Sequence, residues 1–283
     1  MDVNEKEYEI IEKNGITMLS IRAINQTGIA EAYCSVRSSD GGASKGYAGK
    51  FSTNVYKKLG LEEGILDFQR FCMALGVDSR TVITNRLTAG TNTVRVVSFN
   101  SLDKYNIFDE LNAPRADGLV TDSPEVTLFN YAADCAIVHF LDPINKAIGS
   151  CHAGWAGSLN GIMKNTLSAM SEHYGSNLRD IIAVICPSIC ECCFEVGDEV
   201  SRQFKEAGYG SFVSFGYGKK PHVDLFGVNR AILMKAGLLD FNIHSIDICT
   251  YCHPELFHSF RRGPIDDDGM HLNGMNGMFI KLM

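Results

Sequence analysis

The stretch Asp134-Cys135-Ala136-Ile137-Val138-His139-Phe140-Leu141-Asp142-Pro143-Ile144-Asn145-Lys146-Ala147-Ile148-Gly149-Ser150-Cys151-His152-Ala153-Gly154-Trp155-Ala156-Gly157 decides how this chain of 283 residues is read. Positions 135–141 and 147–151 are short, apolar and rich in β-branched residues. The Asp-Pro-Ile-Asn-Lys run at 142–146 between them is turn chemistry, so the two runs form a hairpin. Cys135 opens one strand and His152 closes the other, which brings a thiol and an imidazole to the same end. A Gly-rich loop then leads into a helix over 158–174, with Ser158 as its expected N-cap.

Outward from the hairpin the pattern stays mixed. Ile16–Ile21 and 29–34 read as strands around the turn at Asn25-Gln26-Thr27-Gly28. Leu61–Leu75 has Leu61, Ile65, Phe68 and Cys72 at helical spacing, and Gly76 supplies a stop. Strands are expected at 93–99, Gly118–Thr121, 181–186 and 278–282, and helices at 195–207 and 226–236. Strands and helices do not alternate regularly, which favours an α+β fold over a doubly wound α/β sheet. No linker, repeat or low-complexity segment divides the sequence, so residues 1–283 are expected to form one domain.

Composition excludes several classes. Hydrophobic residues make up 45% and charged residues 21%, which is ordinary globular usage and excludes intrinsic disorder. A net charge of −7 argues against a nucleic-acid surface. No apolar run approaches the ~20 residues of a membrane helix. The polar start Met1-Asp2-Val3-Asn4-Glu5-Lys6 lacks the regions of a signal peptide. Ten cysteines without such a signal point to a reducing cytoplasm, where they serve as core residues, metal ligands or nucleophiles rather than disulfides.

Five groups of residues carry possible chemistry. Cys135 with His152 is either a Cys–His nucleophile pair or two ligands of a catalytic zinc. Asp134 beside the thiol is a candidate base, ligand or orienting group. The loop Gly154 to Ser158 precedes a helix N-terminus, where free N–H groups favour a phosphate or carboxylate. Cys186, Cys190, Cys192 and Cys193, with Cys249 and Cys252 further on, are packed free thiols or parts of a structural zinc site. The loop from Arg37 through Gly41, Gly42 and Ser44 offers glycines, hydroxyls and an arginine able to clamp an anion. Phe257-His258-Ser259-Phe260-Arg261-Arg262 reads as an edge strand with a basic end, or as the lining of a pocket for an aromatic ring.

Taken in order, these segments resemble the YfiH or laccase-domain family, also called multicopper polyphenol oxidase-like or peptidoglycan editing factor proteins. The resemblance rests on Asp117-Gly118-Leu119-Val120-Thr121, Ala133-Asp134-Cys135, His152-Ala153-Gly154-Trp155 and Pro187-Ser188-Ile189 with Cys193-Phe194-Glu195-Val196-Gly197. It continues through Asp224-Leu225 with Asn229, Cys249-Thr250, Phe257 to Arg262, and Arg37 with Gly41, Gly42 and Ser44. The resemblance implies a central mixed sheet flanked by helices, related to a bacterial deamidating toxin domain with a Cys–His site. It also implies a zinc held by one Cys and two His, here Cys135 and His152, with copper the less favoured metal because the clustered histidines of copper sites are absent. Purine nucleosides and phosphate would be the substrates, for phosphorolysis or for adenosine deamination. Phosphate would be held by Arg37, Ser44, Gly154 and Ser158, and the chain would act as a monomer or small homo-oligomer. Two departures stand out. The segment Asn85 to Asn92, where the family carries its first metal histidine, contains none, and Ala156 stands where the family has arginine. His139 or Asp134 could supply the missing ligand. A metal-free Cys–His hydrolase, or a member that has lost activity, is the alternative.

Overall fold

The structure is a computed structural model. It describes residues 7–37, 61–87, 90–98, 114–216, 218–263, 265, 267 and 274–283. Two six-stranded sheets dominate. The first has the order β1 (Tyr8–Lys13), β2 (Ile16–Ile21), β3 (Ala30–Ser35), β14 (Asn276–Leu282), β7 (Thr127–Ala132) and β4 (Val82–Ile83). Only its β4–β7 pair is parallel. The second has the order β13 (Ile243–Ser245), β10 (Ile182–Ile185), β8 (Ala136–Asp142), β9 (Ala147–Ala153), β6 (Gly118–Thr121) and β5 (Val94–Val96). Its two outer pairs are parallel and its inner pairs antiparallel. A short ribbon of β11 (Val213–Ser214) and β12 (His222–Val223) lies apart. The fold is α+β with mixed sheets, as expected, but there are two sheets rather than one.

Period-2 alternation assigns each strand's two faces to different layers. On β7 and β14, Leu128, Met278 and Ile280 join Ile137, Leu141, Ile148 and Val184 of the second sheet in one buried cluster between the sheets. Phe129 and Phe279 point the other way, onto Phe68 and Phe71 of the helix α2 (Leu61–Leu75). Their rings pack, some stacked and some tilted, at centroid separations of 4.4–6.2 Å. The far face of the second sheet, with Ala136, Val138, Phe140 and Ala183, packs on α4 (Ile162–Tyr174) and α6 (Leu225–Ala236). The layers therefore run helix, sheet, sheet, helix.

The hairpin β8–β9 is present as read, with Ala136 opposite Ala153 and Ile137 opposite His152. Other boundaries differ for identifiable reasons. The turn before β3 contains one helical turn, α1 (Arg22–Asn25). The helix expected from Ser158 begins earlier, as α3 (Trp155–Asn160), and Gly154 rather than Ser158 occupies the cap position. Gly161, at φ 89°, ends α3 and lets α4 start in a new direction. The helix expected over 195–207 is the shorter α5 (Asp198–Glu206), with acidic residues in its first turn. Residues 257–262 form no strand; Phe257 is buried and the rest run as irregular chain. Most of the Gly-rich loop after Arg37, including Ser44, lies outside the described residues. No helix among the described residues is long and apolar enough to cross a membrane.

His139 sits mid-strand on the face between the sheets, opposite Ser150. Both its ring nitrogens are buried without a hydrogen-bond partner. Burial pushes its pKa down to about 3, so the ring is neutral in the folded protein. As pH falls from the unfolded value near 6.5 toward 3, the unfolded chain gains this proton and the folded one does not, so stability is lost across that window. Replacing His139 with Leu removes an unsatisfied polar ring at similar volume. Urea unfolding at pH 7 is expected to show no loss, or a gain of about 1 kcal/mol. The decline of stability between pH 6 and 4 is expected to become shallower than in the parent.

Candidate active site

Between β7 and β8 the chain crosses from the first sheet to the second, through Ala133-Asp134-Cys135. Asp134 takes a left-handed backbone conformation at φ 87° to make the corner. Its carboxylate is fully engaged. Oδ1 accepts from the Thr250 hydroxyl at 2.7 Å, and Oδ2 accepts from the Ser259 hydroxyl at 2.9 Å and from the Arg261 backbone N–H at 2.8 Å. Its carbonyl accepts from the Ile189 N–H at 2.9 Å. With these bonds made, Asp134 orients the corner and the segments around it.

The corner presents Cys135 to His152 at the end of β9. A Cβ placed on Gly154 would lie 2.9 Å from Cys135 Sγ and 3.5 Å from His152 Cε1. The glycine is therefore what lets the loop run close beneath the pair. The other side of the imidazole faces Asp117, whose Oδ1 is 3.5 Å from His152 Nδ1. Asp117 is completely buried at the start of β6. Its Oδ2 accepts from the N–H groups of Gly90 and Thr91 and from the Thr91 hydroxyl at 2.8–3.2 Å. The His152 N–H donates to the Asp117 carbonyl at 2.7 Å. Thiol, imidazole and carboxylate thus stand in line, the order used to activate a nucleophile or hold a charged base. Burial opposes charge on His152. The adjacent Cys135 and then Asp117 outweigh it, and its pKa is pushed up to about 10.

Cys135 and His152, but not the buried Asp117 behind them, line the floor of a cavity of about 480 Å³. Its walls are mostly apolar and aromatic, with Tyr131, Trp155, Phe194 and Phe260 among them. Arg261 is the cation on its lining, exposed at the rim. One guanidinium N–H donates to the Glu195 carbonyl at 2.8 Å, and the group lies 5.9 Å from the Phe194 ring centroid.

Of the residues read as phosphate-binding, Gly154 lies beneath this floor. Ser158 is buried, with its hydroxyl spent on the Ala153 carbonyl and on Asn229 Oδ1 at 3.0 and 2.6 Å. It neither caps the helix nor faces the cavity. The Arg37 guanidinium donates to the Pro254 carbonyl at 2.9 Å and does not line the cavity. Asp117 was not singled out for this role by sequence, whereas the run Phe257 to Arg262 was read as an edge strand or the lining of a ring pocket, and Phe260 and Arg261 do line the cavity. The signal for Asp117 was its place in the Asp117–Thr121 motif, and for the other two the aromatic–basic run.

A catalytic zinc centre needs three protein ligands and an open position. Among the described residues, Cys135 and His152 are the two donors at the cavity free to ligate. The Asp134 and Asp117 carboxylates are engaged, and His139 lies four residues along the strand from Cys135, about 13 Å away at strand rise. Two donors do not fit such a centre.

A two-sheet α+β fold with a Cys–His pair at the strand ends and an aromatic cavity above it describes a known class. The description "Multi-copper polyphenol oxidoreductase laccase" matches residues 34–280, and the chain belongs to that family. The structure is similar over 99% of this chain to the crystal structure of Bacillus licheniformis hypothetical protein YfiH, at a TM-score of 0.82 and 26% identity, covering all of that chain. It is 38% identical over 59% of its length to the Mus musculus protein named purine nucleoside phosphorylase LACC1, covering 38% of that protein. It is 36% identical over 52% of its length to purine nucleoside phosphorylase YlmD of Bacillus subtilis, covering 53% of it. The chain thus matches about half or less of these two relatives. A prokaryotic protein named adenosine deaminase RL5 is 34% identical over 67% of this chain and 73% of its own length.

Two outcomes follow from this geometry. Cys135→Ala removes the largest influence raising the His152 pKa. A proton NMR titration is expected to show His152 protonated to pH 9 in the parent and titrating at lower pH in the variant. The stability from that pair is complete below pH 6.5 and is lost as pH rises toward 10, and the variant lacks this loss. Asp134→Ala leaves three donors without their acceptor, and urea denaturation should show a loss of at least about 2 kcal/mol.

Proposed function

We propose that this protein is a cytoplasmic purine nucleoside phosphorylase acting as one domain, with its active site at the Cys135–His152 pair. The observation that carries this reading is the aromatic cavity with an imidazole on its floor and Arg261 at its rim. Flat aromatic walls suit a purine ring. Two cationic groups facing one space suit a phosphate beside the ribose. About 480 Å³ falls within the size range of small-ligand pockets. The names of the relatives point to the same chemistry.

In this reading a phosphate oxygen attacks C1′ of the ribose as the C1′–N9 bond breaks, and the bonding pair leaves with the purine. Ribose 1-phosphate forms, and the phosphate's proton ends on the base. Arg261 and the charged His152 hold the phosphate, and His152 relays the proton. Asp117 keeps the imidazole oriented and charged. Phe260 and Trp155 hold the departing base and keep water from C1′. No step is assigned to a metal at this site, because its donors do not complete one.

The contact of Asp117 with His152 Nδ1 favours a second reading, an amide hydrolase with Cys135 as nucleophile. One assay separates the two. Inosine should yield hypoxanthine only when phosphate is present. His152→Ala should reduce kcat/KM about 100-fold or more, and Arg261→Met should raise the KM for phosphate about tenfold. Base release without phosphate, or no turnover of any purine nucleoside, would overturn the phosphorylase reading. A covalent acyl-enzyme on Cys135, seen by intact mass, would establish the second.

A further inference from the structure

The thiols of Cys192, Cys193, Cys249 and Cys252 take no part in the cavity, yet all four sulfurs lie within 4.8 Å of one another. Cys193 Sγ is 3.3 Å from Cys252 Sγ and 3.5 Å from Cys192 Sγ, and Cys192 Sγ is 4.0 Å from Cys252 Sγ. Four sulfurs held at about 2.3 Å by a tetrahedral zinc lie roughly 3.8 Å apart. The observed separations straddle that value, so small shifts of these side chains complete the tetrahedron. We propose that these four cysteines hold a structural zinc ion that clips together the two segments walling the active-site cavity.

The surroundings fit a metal thiolate better than four packed thiols. Cys192 and Cys252 are exposed, where free thiols have no packing role to keep them. The Cys190 N–H donates to Cys249 Sγ at 3.3 Å, the kind of N–H to sulfur bond that supports a ligating thiolate.

The placement gives the ion its purpose. Cys192 and Cys193 lie in the turn between β10 and α5, and Cys249 and Cys252 in the segment that follows β13. The strands β10 and β13 are parallel neighbours, and beyond their ends the segments are joined by the Ile246 N–H to the Ile185 carbonyl and by a bridge from Ser188 to Cys249. The first segment carries Ile189 and Phe194 into the cavity wall. The second carries Thr250, which donates to Asp134. A zinc here would lock the wall to the corner that presents Cys135, without touching substrate.

Elemental mass spectrometry of protein purified without added metal tests this. About one zinc per chain is expected in the parent and in Cys135→Ala, and none in Cys252→Ser or Cys192→Ser. Both serine variants change exposed side chains, so circular dichroism should show a retained fold. Cobalt reconstitution of the parent should give the visible absorption and sulfur charge-transfer band of a tetrahedral thiolate site, absent from the serine variants. Chelation should lower the Tm of the parent and leave that of Cys252→Ser unchanged. Metal-free parent protein overturns the proposal, as does a Cys193–Cys252 disulfide in its place. Zinc lost with Cys135→Ala but kept in Cys252→Ser also overturns it and returns the ion to the cavity. None of these readouts depends on whether nucleosides are turned over.

Discussion

The carboxylate of Asp134 is the point on which the rest of the site depends. It sits where the chain leaves one sheet for the other, in a backbone conformation that few side chains accept. Three donors from two C-terminal segments converge on it. Each bond on a buried charged acceptor is worth more than a neutral one, and together they offset the cost of burying the carboxylate. The next residue along is the Cys135 thiol, and Arg261, whose N–H is one of the three donors, reaches the cavity rim. One side chain therefore fixes the corner, the Cys135 thiol and Arg261 relative to each other.

The hairpin β8–β9 was legible in the sequence because its turn and its β-rich runs are local signals. The division into two sheets was not. Ile137 and Val138 are both buried, as are Leu128 and Phe129, because each strand is covered on both faces by different layers. Such strands read as continuous apolar runs, and nothing in them says which face meets helix and which meets sheet. At the site, Cys135 and His152 were legible because a hairpin brings them together. Asp117 was not, since its link to His152 depends on how β6 pairs with β9. Ser158 looked like a cap because caps are judged by neighbours. Its partner Asn229 lies 71 positions away.

The departures from the family pattern collect around one region. The segment carrying Gly90 and Thr91 has no histidine, and instead sends two N–H groups and a hydroxyl to Asp117. These donors hold a buried carboxylate, which in turn faces His152. The cavity beside this region has aromatic walls and Arg261 on its lining.

The position of β14 has a consequence for how the molecule is made. Residues 276–282 lie in the middle of the first sheet, with β3 on one side and β7 on the other. Gly277 donates to Ser35 across 242 positions of sequence. On a ribosome, β3 would wait with an unpaired edge until β14, more than 200 residues later, is made. The second sheet, whose central strands β8, β9 and β10 are close neighbours in sequence, can form in the meantime. Loop closure over such distances is slow, and an open strand edge invites pairing with other chains. The nascent protein is therefore most exposed to aggregation through β1 to β3.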